Sequence, residues 1–341
     1  MGSAGVVVSA VPGGEWPFRT HVAGQPSQAG GAMKRKTNES SAIEDNIRHC
    51  YSTWGESYYR DYYESATAYP PVHTAIVRKR LEADKVRTLL DAGCGPASML
   101  RDLDGLGIDR YGFDLTPEMV AEAKRVMESQ GVAGGHIWQG SVLERTSFSP
   151  PTGASAFDAA ICFGVLPHVP SSADGQVLSN LASSVREGGL VMVEARNQLF
   201  ALFTLNRYSH AFFLESLVDL PALKRRASPE EAVRLDEAAS FIGRQFRMDL
   251  PPVRQGKGSE PGYDEVLSRT HNPFELRLAA ERAGLRDVSV LFYHYHCMPP
   301  MVESILPDFF RRASLAMEDP ADWRGHFMAS AFILAGYRAE R

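Results

Sequence analysis

A strand, a tight glycine turn and a helix follow one another in residues 88–103, and this succession constrains the fold more than any other feature of the chain. The sequence of the segment is TLLDAGCGPASMLRDL. Leu89 and Leu90 predict a buried strand, Gly93 and Gly95 predict a tight turn, and the later apolar residues predict one face of a helix. Nucleotide-binding α/β folds use this order, because a backbone without side chains lets a ligand approach closely. The segment therefore predicts an α/β sheet with a nucleotide-like ligand at the turn.

The charge before the turn distinguishes two classes of nucleotide. Asp91 lies two residues before Gly93, where its carboxylate would repel the pyrophosphate of a dinucleotide. A cofactor that carries an ammonium and a sulfonium would instead be attracted to it. The last glycine of the dinucleotide spacing is also replaced, by Ser98. The pattern favours a cationic cofactor, and a nucleotide-dependent oxidoreductase is the alternative.

A second strand ends in an acid within residues 111–119, YGFDLTPEM. Asp114 follows Asp91 by 23 residues, a spacing that places a carboxylate at the tip of the neighbouring parallel strand, where it can accept both hydroxyls of a ribose. Thr116 suits an N-cap and Pro117 the first position of a helix. Together, the two segments resemble the class I S-adenosylmethionine (SAM) dependent methyltransferases, although Ala97 stands where that family commonly has a third glycine.

The resemblance implies a fold, a cofactor and a set of contacts. The fold is α/β and Rossmann-like, with a mostly parallel sheet of seven strands in the order 3-2-1-4-5-7-6 and helices on both faces. The cofactor is SAM, whose adenine would lie between Phe163 and Val142. Ser141 stands where the family often has an aspartate for the adenine amino group. The implied cofactor-binding residues are Tyr58, Asp91, Gly93, Cys94, Gly95, Asp114, Leu115, Ser141, Val142 and Phe163.

The remaining pattern divides the chain into five parts. Later strands are expected at residues 136–139, 190–194, 287–295 and 329–337, with the last two hairpin-like, and residues 157–169 are expected to form a buried fourth strand and its exit loop. The predicted parts are a disordered tail (1–37), an N-terminal helical cap (38–84), the SAM-binding core (85–196), a helical lid insertion (197–270) and the C-terminal part of the core (271–341). An insertion of this length after the fifth strand suits a substrate lid.

The loop after the fourth strand contains a candidate base. His168 lies there, at a position where the family often has a histidine. Transfer of a methyl group to a hydroxyl requires removal of a proton, and the pKa of histidine suits this task. We therefore expect His168 to be the catalytic base, with His271, His294 and Glu194 as lesser candidates. His294 and His296 share one side of a strand, which suggests a substrate pocket.

No metal is expected in the mechanism. Glu194 and Asn197 could supply oxygen ligands at the end of the fifth strand, but the fourth strand ends in Cys162 and Phe163. Magnesium requires an octahedral set of oxygen ligands, which these residues leave incomplete.

Composition limits the partners. The 341 residues carry a net charge of −5, which does not indicate general affinity for nucleic acid, and no (D/N)PP(Y/F) tetrapeptide follows the fourth strand. Four scattered cysteines suit a reducing cytoplasm, and no segment is apolar enough to span a membrane. We expect a cytoplasmic enzyme that methylates an oxygen or nitrogen of a small molecule, without nucleic acid or stable membrane insertion, and that is compatible with a homodimer. A SAM-binding protein without turnover is a further alternative.

Overall fold

The computed structural model describes residues 42–48, 70–151, 156–249 and 266–340. In these ranges seven strands form one sheet in the order β3-β2-β1-β4-β5-β7-β6, which confirms the predicted fold class. The strands are β1 (Thr88–Ala92), β2 (Asp109–Asp114), β3 (Ile137–Gln139), β4 (Phe157–Cys162), β5 (Val185–Arg196), β6 (Leu285–Tyr295) and β7 (Ala329–Arg338). Strands β1 to β5 pair in parallel, and β7 pairs antiparallel with both β5 and β6.

Alternation along the strands divides the core into two faces. The first face, marked by Leu89, Ile161 and Met192, packs against the helices Val72–Ala83 and Pro117–Ser129. The second face, marked by Leu90, Ala160 and Val191, packs against the helices Asp174–Ser184 and Pro273–Arg282. Successive side chains of a strand point to opposite sides, so burial on both sides explains why the strands are apolar throughout.

Several element boundaries differ from the sequence prediction. β5 begins at Val185 rather than at residue 190, because Gly188, with φ +69°, is accommodated where the pairing with β4 is irregular. β3 begins at Ile137, and His136 belongs to the preceding 3-10 turn, Gly134–His136. In both cases a glycine that would ordinarily end an element lies inside a strand or next to one.

The connection between β6 and β7 is not a simple hairpin. It contains a 3-10 segment at Pro300–Ile305 and two helices, Pro307–Leu315 and Gly325–Met328. Phe310 and Ser314 are the buried residues of the longer helix, while Phe309 is exposed. The helix has only nine residues, a stretch too short for apolar periodicity to identify a helix, which explains why it was not predicted.

The described part of the insertion is helical. Its helices are Ala201–Thr204, Arg207–Ala211, the π-helix Phe212–Leu217, Leu220–Arg226 and Pro229–Gly243. The predicted capping box is confirmed, since the Ser228 hydroxyl accepts from the Glu231 N–H and the Glu231 carboxylate accepts from the Ser228 N–H. Within the described ranges, no helix has the length and apolarity needed to cross a bilayer.

Candidate cofactor and acceptor site

The candidate site lies where the carboxyl ends of β1, β2, β4, β5 and β6 meet at one edge of the sheet. β6 runs parallel to β5, because both are antiparallel to β7. Asp91 is two residues after Leu89 in β1, so its side chain lies on the same side of the sheet, the first face. Glu194 lies on that face too, two residues after Met192 in β5. Ligands of open α/β sheets bind outside this edge.

The glycine turn is fixed against β2 by its backbone. The N–H groups of Gly93 and Cys94 donate to the Phe113 carbonyl at 2.8 and 3.0 Å. Gly93 has φ +85°, and a Cβ there would overlap Cγ2 of Val165. Glycine is therefore required by both the conformation and the packing. At Gly95, φ is +51° and a Cβ would meet nothing within 4 Å, so the backbone is uncovered on that side.

Ala97 adopts the left-handed conformation that glycine favours. Its φ is +62° and ψ is +30°, immediately before the helix Ser98–Asp102. The third glycine of the family thus has a conformational purpose, and alanine here carries a cost of roughly 1–2 kcal/mol.

Asp114 connects the turn to the second strand and the following helix. One carboxylate oxygen accepts from the Gly95 N–H at 2.8 Å, and the other accepts from the Thr116 N–H at 2.9 Å. Burial raises the pKa of Asp114, while these backbone hydrogen bonds lower it. A carboxylate oxygen can accept more than one hydrogen bond, so both oxygens retain capacity for a ligand hydroxyl. Thr116 is the N-cap as predicted, but its side chain makes no capping hydrogen bond.

Asp91 is a buried carboxylate. It is 2% exposed, and no hydrogen bond or ion pair joins it to another residue in the described ranges. Burial, and secondarily the charge of Asp114, raise the pKa of Asp91 to about 8. A nearby positive charge would lower this pKa and offset the cost of burying the carboxylate. The environment of Asp91 therefore suits a cationic ligand.

The two residues expected to enclose an adenine pack with different parts of the core. Val142 belongs to the core of the second face, whereas Phe163 packs against the core of the first face. Three further residues were predicted to contact the cofactor, namely Cys94, Leu115 and Tyr58. Cys94 is buried, the Leu115 carbonyl accepts from the Gln139 amide, and Tyr58 lies outside the described residues.

Ser141 makes a contact with the N-terminal region. Its hydroxyl donates to the Glu44 carboxylate at 2.5 Å and accepts from the Leu143 N–H at 3.1 Å. Glu44 belongs to the helical residues 42–48. A carboxylate from elsewhere in the chain thus lies at the position where the family often has an aspartate. No local pattern in the sequence signals this contact, because 97 residues separate its partners.

His168 is buried and anchored. Its Nδ1 lies 2.7 Å from the Leu267 carbonyl, in a region where Arg269 binds Asp174 at 2.5 Å. Burial, followed by the charge of Arg196, lowers the pKa of His168 to about 3. These surroundings attach residues 266–270 to the loop after β4, and a nitrogen with so low a pKa is a weak proton acceptor at neutral pH.

Glu194 is held rigidly at the end of β5. One oxygen accepts from the Gly164 N–H at 2.5 Å, and the other accepts from the Tyr293 hydroxyl at 2.8 Å. The ring of His73 lies 5.6 Å from the Tyr293 ring and 6.2 Å from the Phe163 ring. Burial lowers the pKa of His73, and the charges of Glu194 and Asp102 raise it. Sequence reasoning missed His73, since a single histidine in a helix carries no motif.

His294 and His296 extend this group along β6. Their rings stack at 5.3 Å, and the ring of His296 lies 4.7 Å from the ring of Phe200 in the insertion. His294 has φ +63°, and its N–H donates to Glu318. Burial lowers the pKa of His294 to about 4 and lowers that of His296 well below its usual value. In the described part of the chain, no three His, Cys, Asp or Glu side chains are grouped to hold a metal ion.

Comparisons with known proteins agree with this geometry. Residues 89–189 match the family model of a methyltransferase domain. The ubiquinone biosynthesis O-methyltransferase of Xanthomonas axonopodis pv. citri is 31% identical over 135 residues, which are 40% of this chain and 53% of that protein. Its counterpart in Xylella fastidiosa is 28% identical over 135 residues, covering 40% of this chain and 52% of the relative. The chain spans about half the length of the curated relatives it matches.

Two solved structures are also similar. Magnesium protoporphyrin IX methyltransferase from Synechocystis has a TM-score of 0.45 at 14% identity, covering 87% of this chain and 100% of that one. An O-methyltransferase family protein from Burkholderia thailandensis has a TM-score of 0.42 at 13% identity, covering 79% and 56%. Residues 89–189 therefore form a methyltransferase domain, and the strand–turn–helix motif at residues 88–103 resembles that of the class I SAM-dependent methyltransferases.

Proposed function

We propose that the protein transfers a methyl group from SAM to an oxygen of a small molecule. The observation that carries the proposal is the buried carboxylate of Asp91 beside the glycine turn. An ammonium would pair with the ionised carboxylate and offset the cost of burying it, whereas a diphosphate would favour the protonated carboxyl and gain no ion pair. The same observation disfavours a nucleotide-dependent oxidoreductase.

The chain offers a hydrogen-bond acceptor for each polar part of the cofactor. We assign the ammonium to Asp91, the ribose hydroxyls to Asp114, and the edge of the adenine to Ser141 with Glu44. Gly95 would let the ligand lie against the backbone, since a Cβ there would meet nothing nearby. When bound, SAM supplies a methyl carbon activated by the sulfonium. The chain has to align the acceptor with that carbon and exclude water.

Oxygen is the acceptor atom we favour, and two observations support it. The curated relatives carry the name O-methyltransferase. A hydroxyl also requires a base, and half-buried imidazole and carboxylate groups lie together at the ends of β5 and β6. The aromatic rings of Phe163, Tyr293 and Phe200 around this group suit a planar, partly apolar acceptor.

We propose that the cap (38–84) and the lid insertion (197–270) close over the two halves of the site. The contact between Glu44 and Ser141 supports the cap, because it brings residues 42–48 to the adenine side. The contact between Phe200 and His296 supports the lid, because it joins the insertion to the end of β6.

Cys94, Cys162 and Cys297 are unpaired, which supports a cytoplasmic location.

Calorimetry with SAM and with NAD tests the choice of cofactor. We expect SAM to bind and NAD not to bind. Asp91→Asn should abolish most of the SAM affinity, while Asp109→Asn, a change at an exposed residue that begins β2, should leave it unaltered. Binding of NAD alone would refute the proposal.

Turnover is tested with SAM labelled in the methyl group and fractionated metabolites of the host cell. Label should appear in a small molecule, which mass spectrometry then identifies as a methyl ether. Tight SAM binding without label in any fraction would instead indicate a SAM-binding protein without turnover.

A further inference from the structure

We propose that His73 is the base that accepts the proton of the acceptor hydroxyl. This inference rests on the proposed function and adds the residue that performs its proton transfer. His73 lies outside residues 89–189, the range that matches the methyltransferase domain, so the match itself assigns it no role.

The position of His73 places it at the acceptor side of the site. It belongs to the first turn of the helix Val72–Ala83, which packs on the first face of the sheet. Its ring contacts Phe163, the residue after β4, and Tyr293, near the end of β6. Both contacts lie at the carboxyl edge, where Asp91 and Asp114 also lie.

Burial lowers the pKa of His73, and nearby carboxylates act against that lowering. The imidazole is half-buried, and no hydrogen bond of its ring to another described residue is present. Three charged or titratable groups face it, namely Glu194 from β5, Asp102 from the helix Ser98–Asp102 and His294 from β6. Glu194 is anchored at both oxygens, so its charge remains in place to stabilise an imidazolium.

The other histidines near the site are less suited. His168 uses its Nδ1 at the Leu267 carbonyl and is buried against Arg196. His271 lies 3.7 Å from Asp174 on the other face. His296 is buried among aromatic rings. His294 is also partly exposed, but burial and the neighbouring His73 lower its pKa to about 4. Of these two histidines, His73 is the one whose pKa the anchored carboxylate of Glu194 raises.

The proposed step is balanced. The acceptor oxygen forms a bond to the methyl carbon of SAM as the bond from that carbon to sulfur breaks. The proton of the hydroxyl passes to a ring nitrogen of His73, and the electron pair of the broken bond remains on sulfur. The products are the methyl ether, S-adenosylhomocysteine and the imidazolium, which then releases its proton to water.

His73→Asn tests the proposal, with His136→Asn as the matched control. His136 precedes β3, at the opposite edge of the sheet, where its ring stacks on Tyr111. In each variant, SAM affinity is measured by calorimetry and label transfer to the acceptor fraction is followed from pH 6 to pH 10. We expect His73→Asn to lose about 10²–10⁴-fold in kcat at pH 7 with unchanged SAM affinity, while the control keeps both.

The pH profile separates a base from a merely structural residue. Without a base, the variant relies on acceptor that is already ionised, so its rate should rise about tenfold per pH unit until the hydroxyl has lost its proton. A rate within threefold of the wild type at pH 7 would overturn the proposal. Failure of the wild type to bind SAM or to transfer label would overturn the proposed function instead.

A second variant tests the environment without relying on turnover. Glu194→Gln keeps the size of the side chain but removes the charge that raises the pKa of His73. The C2–H resonance of His73, identified by its absence from the His73→Asn spectrum, should titrate at a lower pH in this variant. An unchanged titration midpoint in a folded variant would contradict the role we assign to Glu194.

Discussion

The carboxylate of Asp114 accepts the N–H of Gly95 at 2.8 Å, so the residue expected to bind a ribose also holds the turn that would meet the rest of the cofactor. Asp114→Asn should therefore affect two properties at once. We expect a loss of about 1–3 kcal/mol in the free energy of unfolding, because an amide can accept through only one of its two terminal atoms. SAM affinity should fall at least tenfold. Urea denaturation and calorimetry measure the two effects, and an unchanged affinity would exclude Asp114 from the cofactor site.

Asp91 should limit the stability of the protein. Its pKa of about 8 lies above the value expected in the unfolded chain, so between these values the folded state binds more protons and stability falls as pH rises. Asp91→Asn should thus raise the free energy of unfolding at pH 7 by about 2–4 kcal/mol. Denaturation at pH 5 and pH 8 should show a smaller pH dependence in the variant. Equal slopes would contradict the raised pKa.

Binding of SAM should release protons at neutral pH. Asp91 is mainly protonated below about pH 8, and an ammonium bound beside it would lower its pKa. Calorimetry at pH 7 in two buffers of different ionisation enthalpy should therefore report release of up to about one proton. Affinity should weaken from pH 8 to pH 6, and Asp109→Asn should behave like the wild type. No dependence of the observed heat on the buffer would count against this coupling.

Gly93→Ala should be far more damaging than Gly105→Ala. Both glycines have positive φ, +85° and +82°, but only a Cβ at Gly93 meets Val165, whereas one at Gly105 meets nothing within 4 Å. The backbone conformation alone should cost about 1–2 kcal/mol at either site, and the overlap adds to this at Gly93. The difference between the urea unfolding midpoints of the two variants therefore measures the cost of the overlap with Val165. Equal midpoints would show that Val165 moves aside.

Acid should destabilise the protein in part through His168. Its pKa of about 3 in the fold lies below the usual 6.5, so the unfolded state binds more protons between these values and stability is lost as pH falls below 6.5. At pH 5 the free energy of unfolding should be lower by about 2 kcal/mol than at pH 7.5 through this group. His168→Gln should reduce that loss while lowering stability at pH 7.5, since the contact with Leu267 is changed. An identical pH dependence in the variant would contradict this account.

The sequence predicted the sheet because its signals are local. A buried strand, a glycine turn and a capped helix each depend on neighbouring residues, and their repetition predicted the seven strands. The order of the strands came from the resemblance to the methyltransferase family. The contacts of Glu44 with Ser141 and of His73 with Phe163 join parts of the chain about 90 residues or more apart. No periodicity encodes such pairs. His168 illustrates the same limit, since its position in the loop was predictable but its burial against Arg196 was not.

The helix Pro307–Leu315 was missed for a different reason. Helices that cover a sheet repeat apolar residues at regular intervals, whereas this one buries only Phe310 and Ser314. It also has only nine residues, fewer than periodicity needs to identify a helix, so the tertiary structure was needed to reveal it.

Most of the residues near the proposed acceptor site lie outside residues 89–189, namely His73, Glu194, Tyr293 and the stacked pair His294 and His296, whereas Phe163 lies inside that range. Different segments of the chain would thus bind the methyl donor and the methyl acceptor. Evolution could exchange the acceptor stretch while retaining the donor stretch, so proteins that share the matched domain with this one need not share its substrate.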